Sequence, residues 1–107
     1  MDFKKLSPQE VLQLCLESKD EAPWLEFLCR FQPLIARVVV RCVRRRTTPQ
    51  SSLVDDLVQE TFLKLCANDC RALRNFDCDH EQALFGFVKK VAHNVVEDYF
   101  RTLYSQK

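Results

Sequence analysis

Glycine is nearly missing from this chain: one residue in 107, beside four prolines. With so few backbone breakers the sequence favours helices joined by few turns, and the balance of 47% hydrophobic with 29% charged residues excludes low complexity and disorder. The opening MDFKKLSPQE carries no apolar run behind its lysines, which excludes a secretory signal. Nowhere does an apolar stretch approach the ~20 residues of a membrane span. A cytoplasmic location is expected, where the six cysteines are reduced thiols acting largely as small core residues. Histidine is scarce too: His80 and His93 are the only two. Without a glycine-rich phosphate loop or a serine in a nucleophile-elbow context, nothing points to catalysis, and no enzyme is expected.

Net charge is also lacking, at +1, but the charge is unevenly placed. Arg37, Arg41, Arg44, Arg45 and Arg46 follow one another with no acid between them. They form a local positive field able to meet phosphates, or else a solvated helix end whose arginines complement the helix dipole.

A length of 107 residues makes one domain, able to bury roughly 60 to 70% of the surface of its unfolded chain. Its first helix starts at Ser7, with Pro8 at the first helical position and Glu10 three residues after the serine, a capping box. That helix spans 8–18. A second, 22–46, repeats Trp24, Leu28, Phe31, Ile35, Val38 and Cys42 at intervals of four and three, with Pro33 predicting a kink or a break. Ser52 and Asp55 form another capping box opening a third helix, 53–67. Residues 66–80, rich in Asn and Asp and without a steady period, read as a long ordered loop with a helical turn near Leu73. Asp79 and Gln82 then cap a last helix, 80–104, whose core face is Leu84, Val88, Val91, Val95 and Tyr99. No strand pattern and no repeat is present. The expected fold is all-α, a compact bundle of three to four helices.

The third helix is two-sided. Val54, Leu57, Val58, Thr61, Phe62 and Leu65 gather on one face, whereas Asp56, Gln59 and Glu60 lie opposite with Leu63 set among them. On the last helix Phe87, Lys90, Asn94, Asp98 and Arg101 fall along one flank, with Lys89 and His93 on another exposed side. Asn94 and Asp98, four apart, can bond to each other. Such a strip can pair with phosphates, reach base edges and stack on an unpaired base, or simply solubilise the helix. Cys66, Cys70, Cys78 and His80 match no common zinc spacing, so no metal or other cofactor is expected.

Taken in order, DDLVQETFLKL, a loop, and LFGFVKKVAHNVVEDYFR resemble region 2 of bacterial sigma factors of the extracytoplasmic-function group. FLCRFQPLIARVVVRCV looks like the long helix of the same region, so the resemblance covers nearly the whole chain. It implies a transcription initiation factor that binds core RNA polymerase and recognises and helps melt the promoter minus-ten element. By this resemblance Asp56, Gln59 and Glu60 face the clamp helices of the polymerase β′ subunit; the helical period sets Leu63 among them as an apolar anchor. The loop with Asn75, Phe76, Asp77 and Cys78 would hold a flipped base, Asn94 and Arg101 would lie on the DNA-facing helix, and Lys89, Lys90 and His93 would contact the backbone. Mainly single-stranded minus-ten DNA and an anti-sigma factor are the further partners implied.

Phe87 stands where the family usually has tryptophan, and His93 replaces a common arginine. Nothing after Arg101 resembles the linker and helix-turn-helix of region 4, so the chain is expected to lack that region. The alternative reading is a sigma-like interaction module that binds polymerase or an anti-sigma regulator without reading DNA.

Overall fold

The structure, a computed structural model, describes residues 3–17, 20–75 and 81–105. After a short 3-10 turn at Phe3–Lys5 come four helices: α1 (Pro8–Glu17), α2 (Glu21–Arg44), α3 (Ser51–Asn75) and α4 (Glu81–Ser105). The three long helices set the 49 Å axis of a molecule only 24 by 23 Å across. Among the described residues there is no strand, as the sequence implies.

The start of α1 follows directly from its residues. Glu10 N–H donates to Ser7 Oγ at 3.1 Å while Ser7 N–H donates to Glu10 Oε1 at 2.9 Å, so two backbone donors that lack helical partners are satisfied reciprocally. The bond from Ser7 holds the Glu10 carboxyl below its ordinary pKa.

In α2, Phe31, Ile35 and Cys42 are buried as the seam predicts, but Phe27, Val39 and Val43 replace Trp24, Leu28 and Val38 as fully buried partners. A stripe that must meet α1, α3 and α4 at once is wider than a coiled-coil seam, and the half-buried residues sit on its margins. Pro33 is exposed inside a helix that continues through it. The ring on the outer surface removes one backbone donor without disturbing the packed side.

Two boundaries differ from expectation in α3. It begins at Ser51, with Val54 N–H bonded to the Gln50 carbonyl, so Ser52 lies inside the first turn and Asp55 just past it, instead of the two capping the helix. It also runs to Asn75, through most of the segment expected to be a loop. Burial explains the extension: Cys70 and Leu73, three apart, are 8% and 2% exposed in the core, and Arg74 donates to the Leu16 carbonyl at 2.9 Å. The irregular sequence still leaves its trace, because Asn68 and Cys70 have φ of 55° and 60°, a left-handed backbone that costs a non-glycine residue about 1 to 2 kcal/mol. The cap expected at Asp79 lies outside the described residues.

Contacts between α2 and α4 advance together along both helices, from Phe31 with Phe85 to Cys42 with His93 and Arg46 with Glu97, so the two run parallel. α3 returns between them, its Arg74 reaching back to the end of α1. On α4 the buried face is Leu84, Val88, Ala92, Val95, Val96 and Phe100. Tyr99, expected in that face, is 37% exposed, and Phe100 takes the core position because it meets the end of α2 through Arg46.

A candidate polymerase and nucleic-acid interface

α3 separates its two chemistries cleanly. Leu57, Val58, Thr61 and Leu65 are buried, with Val54 and Phe62 half-buried against the core. Thr61 fits there because its hydroxyl donates to the Leu57 carbonyl at 2.8 Å, so no polar atom is stranded. Asp56, Gln59 and Glu60 are exposed, and Leu63 stands 56% exposed among them.

The tertiary structure divides this row between two grooves. Asp56 and Glu60 border a groove toward α4, where Asp98, Tyr99 and Leu103 form the other wall and Lys64 is the one lining base. Gln59 and Leu63 border a more apolar groove toward α2, shared with Leu28, Cys29, Val58, Phe62 and Cys66. Of the α2 and α4 residues that complete these grooves, Leu28, Val95 and Tyr99 read from sequence as core and Asp98 as part of the α4 strip, whereas Thr102 and Leu103 were not singled out. For Tyr99 the signal pointed the wrong way, since its helical period placed it in the core.

The α4 strip is only partly assembled. Lys89, Lys90, His93, Asn94 and Arg101 are all exposed. Phe87 is half-buried and packed against the core, which limits the ring surface left for a base. Asp98 binds Arg101, at 3.0 Å, instead of the expected Asn94. An ion pair one helical turn away competes well with an amide for a carboxylate. His93 turns toward α2, with Nδ1 3.5 Å from Cys42 Sγ. Of the expected base-binding loop, Asn75 ends α3 and is exposed, whereas Phe76, Asp77 and Cys78 lie outside the described residues.

Three thiols cluster where α3 passes α1. Burial pushes Cys15 up to about 12 and Cys66 up to about 11, with Cys70 beside both raising each further. Among the described residues no group of three or more His, Cys, Asp and Glu side chains is placed to hold a metal ion. None of the described helices is long and apolar enough to cross a membrane.

Residues 29–105 match the family model for sigma-70 region 2. No curated protein and no solved structure matches the chain.

Proposed function

The chain belongs to the sigma-70 region 2 family, whose role is RNA polymerase binding and promoter recognition, and from that premise we propose how its own residues divide the work. α3 is the polymerase-binding helix. Asp56 and Glu60 meet basic side chains of the β′ clamp helices, Gln59 adds a hydrogen bond, and Leu63 supplies an apolar contact inside the polar ring. α4 is the DNA-facing helix of a minus-ten recognition surface of the extracytoplasmic-function type. Lys89, Lys90 and His93 contact phosphates, Asn94 reads a base edge, and Asn75, Phe76 and Asp77 belong to the base-binding loop.

No covalent step is required. A surface that gains contacts only with separated strands raises the population of the melted promoter. The observation that carries the polymerase half is the exposed Leu63 within the outward acidic and amide row, on a helix whose opposite side is core.

Binding of the chain to core RNA polymerase, or to a β′ clamp-helix fragment, tests this reading. Asp56→Ala and Gln59→Ala are each expected to weaken binding by about 1 to 3 kcal/mol while leaving the helical fold intact. Binding that ignores both substitutions overturns the assignment. A sigma-like interaction module that does not read DNA is the second reading, favoured by the half-buried Phe87 and by the engagement of Arg101 with Asp98. Minus-ten affinity left unchanged by Lys90→Ala, Asn94→Ala and Arg101→Ala together, with polymerase binding abolished by Asp56→Ala, decides for that module.

A further inference from the structure

The seam between α2 and α4 carries two cross-helix contacts in one register. Cys42 Sγ lies 3.5 Å from His93 Nδ1, and one turn further along both helices Arg46 donates to Glu97 at 2.9 Å. The partners of each pair are 51 residues apart in sequence, so the first contact belongs to the packing of the two helices and not to one isolated side chain. Cys42 is 8% exposed, on the buried side of α2 with Ile35 and Val39, whereas His93 is exposed. The imidazole is thus held at one edge by the core and open to solvent at the other.

The chemistry of the pair decides where the ring proton sits. A thiol is a weak donor and a weak acceptor, whereas the bare nitrogen of a neutral imidazole accepts readily. The thiol therefore donates to Nδ1, and the ring proton falls on Nε2. A protonated ring reaches the same result by another route, since Nδ1–H then donates to sulfur and Nε2 keeps its own proton. In both states an N–H stands on the ring edge away from Cys42.

The neighbours on α4 leave that donor its outward course. Glu97, four residues after His93 and on the same side of the helix, is the acceptor that would otherwise draw the ring along α4. Arg46 occupies it instead. Exposed Lys89 lies four residues before His93, so its ammonium and the outward nitrogen stand one turn apart, about 6 Å at 1.5 Å per residue.

We infer that Cys42 is a positioning residue for the contact of His93 with DNA: its thiol fixes Nδ1 against α2 and so aims Nε2–H at a backbone phosphate oxygen. The inference rests on the DNA-facing reading of α4. Buried beneath the ring, Cys42 itself touches no nucleic acid. A ring tethered at one nitrogen has less freedom to lose on binding, which is what the tether contributes.

The test measures affinity of the whole chain for a mixed-sequence single-stranded DNA at low salt, in a double-mutant cycle of Cys42→Ala with His93→Ala. Cys42→Ala is expected to weaken binding about 2- to 10-fold where His93 is present, the range of one hydrogen bond, and to have no effect in the His93→Ala background. Cys42→Ser keeps a donor to Nδ1 and is expected to recover most of the loss. Equal losses in both backgrounds, a loss that serine does not relieve, or full affinity in Cys42→Ala overturns the inference. Nitrogen NMR gives a reading that needs no variant of Cys42. The His93 signal, assigned by its absence from His93→Ala, is expected to show the neutral ring protonated at Nε2 and bare at Nδ1, and the reverse tautomer overturns the inference. If His93→Ala leaves affinity unchanged the inference falls, and Lys90→Ala with Asn94→Ala then shows whether the reading of α4 falls with it. Melting curves keep the comparison to folded protein.

Discussion

Arg46 closes on Glu97 at 2.9 Å while its guanidinium lies over two aromatic rings of α4, 5.3 Å from the centroid of Phe100 and 5.8 Å from that of Tyr104. One side chain thus ties the end of α2 to the last turns of α4. The ion pair, about a third exposed on each side, contributes less than about 1 kcal/mol, and each ring contact adds about 0.5 to 1 kcal/mol. Arg46→Ala is expected to lower unfolding stability by about 1 to 2 kcal/mol and Glu97→Gln by less than half of that, measured by urea denaturation. Equal losses would assign the contact to charge alone.

Phe31 is the centre of an aromatic relay, stacked on Phe27 at 4.5 Å and tilted against Phe85 of α4 at 5.4 Å. It is fully buried, so truncation opens a cavity between Phe27 and Phe85. Phe31→Ala is expected to cost about 3 to 5 kcal/mol, whereas Phe31→Leu costs markedly less. Thermal melts of both variants check the ordering.

Gly86 interrupts α4 at an exposed position, and a Cβ there meets nothing within 4 Å. Gly86→Ala is therefore expected to stabilise the chain by about 0.5 to 1 kcal/mol, since alanine restricts the unfolded backbone and adds no clash. A destabilised variant would contradict the open space around this turn. If the same variant loses DNA affinity while melting higher, the missing side chain reflects close approach of a ligand.

Cys15 and Cys66, raised toward 12 and 11 by burial and by each other's neighbour Cys70, stay protonated in the folded chain when an unfolded thiol near 9.0 has already ionised. Above that value the unfolded state binds fewer protons, so stability falls as pH rises from about 9 toward 12. Cys15→Ala is expected to flatten that alkaline decline, measured as denaturation midpoints at several pH values. Burial also shields Cys15 from iodoacetamide near neutral pH, so exposed Cys29 is expected to be alkylated before it, as peptide mapping would show.

Local signals carried much of this fold because they act within a turn or two of helix. The Ser7 and Glu10 box needs only a separation of three, and the two faces of α3 need only a period of 3.6, so both were legible directly. The family resemblance was legible for the same reason, since its residues stand in order along two helices within the matched span 29–105.

What the chain alone could not display is everything that depends on which helix lies opposite. α3 extends to Asn75 because Cys70 and Leu73 are buried in the core and Arg74 reaches the Leu16 carbonyl of α1, against an intrinsic Asn- and Asp-rich tendency to break. Tyr99 yields its expected place to Phe100 because the inward face of a helix end is chosen by its neighbour, here Arg46. Asp98 joins Asp56 and Glu60 around one groove, and Arg46 meets Glu97, only through packing between residues distant in sequence. Sequence by itself determined the helices, the sided character of α3 and the family, because periodicity and spacing are local. The tertiary structure alone decided which charges share a surface, because electrostatic fields add through space and not along the chain.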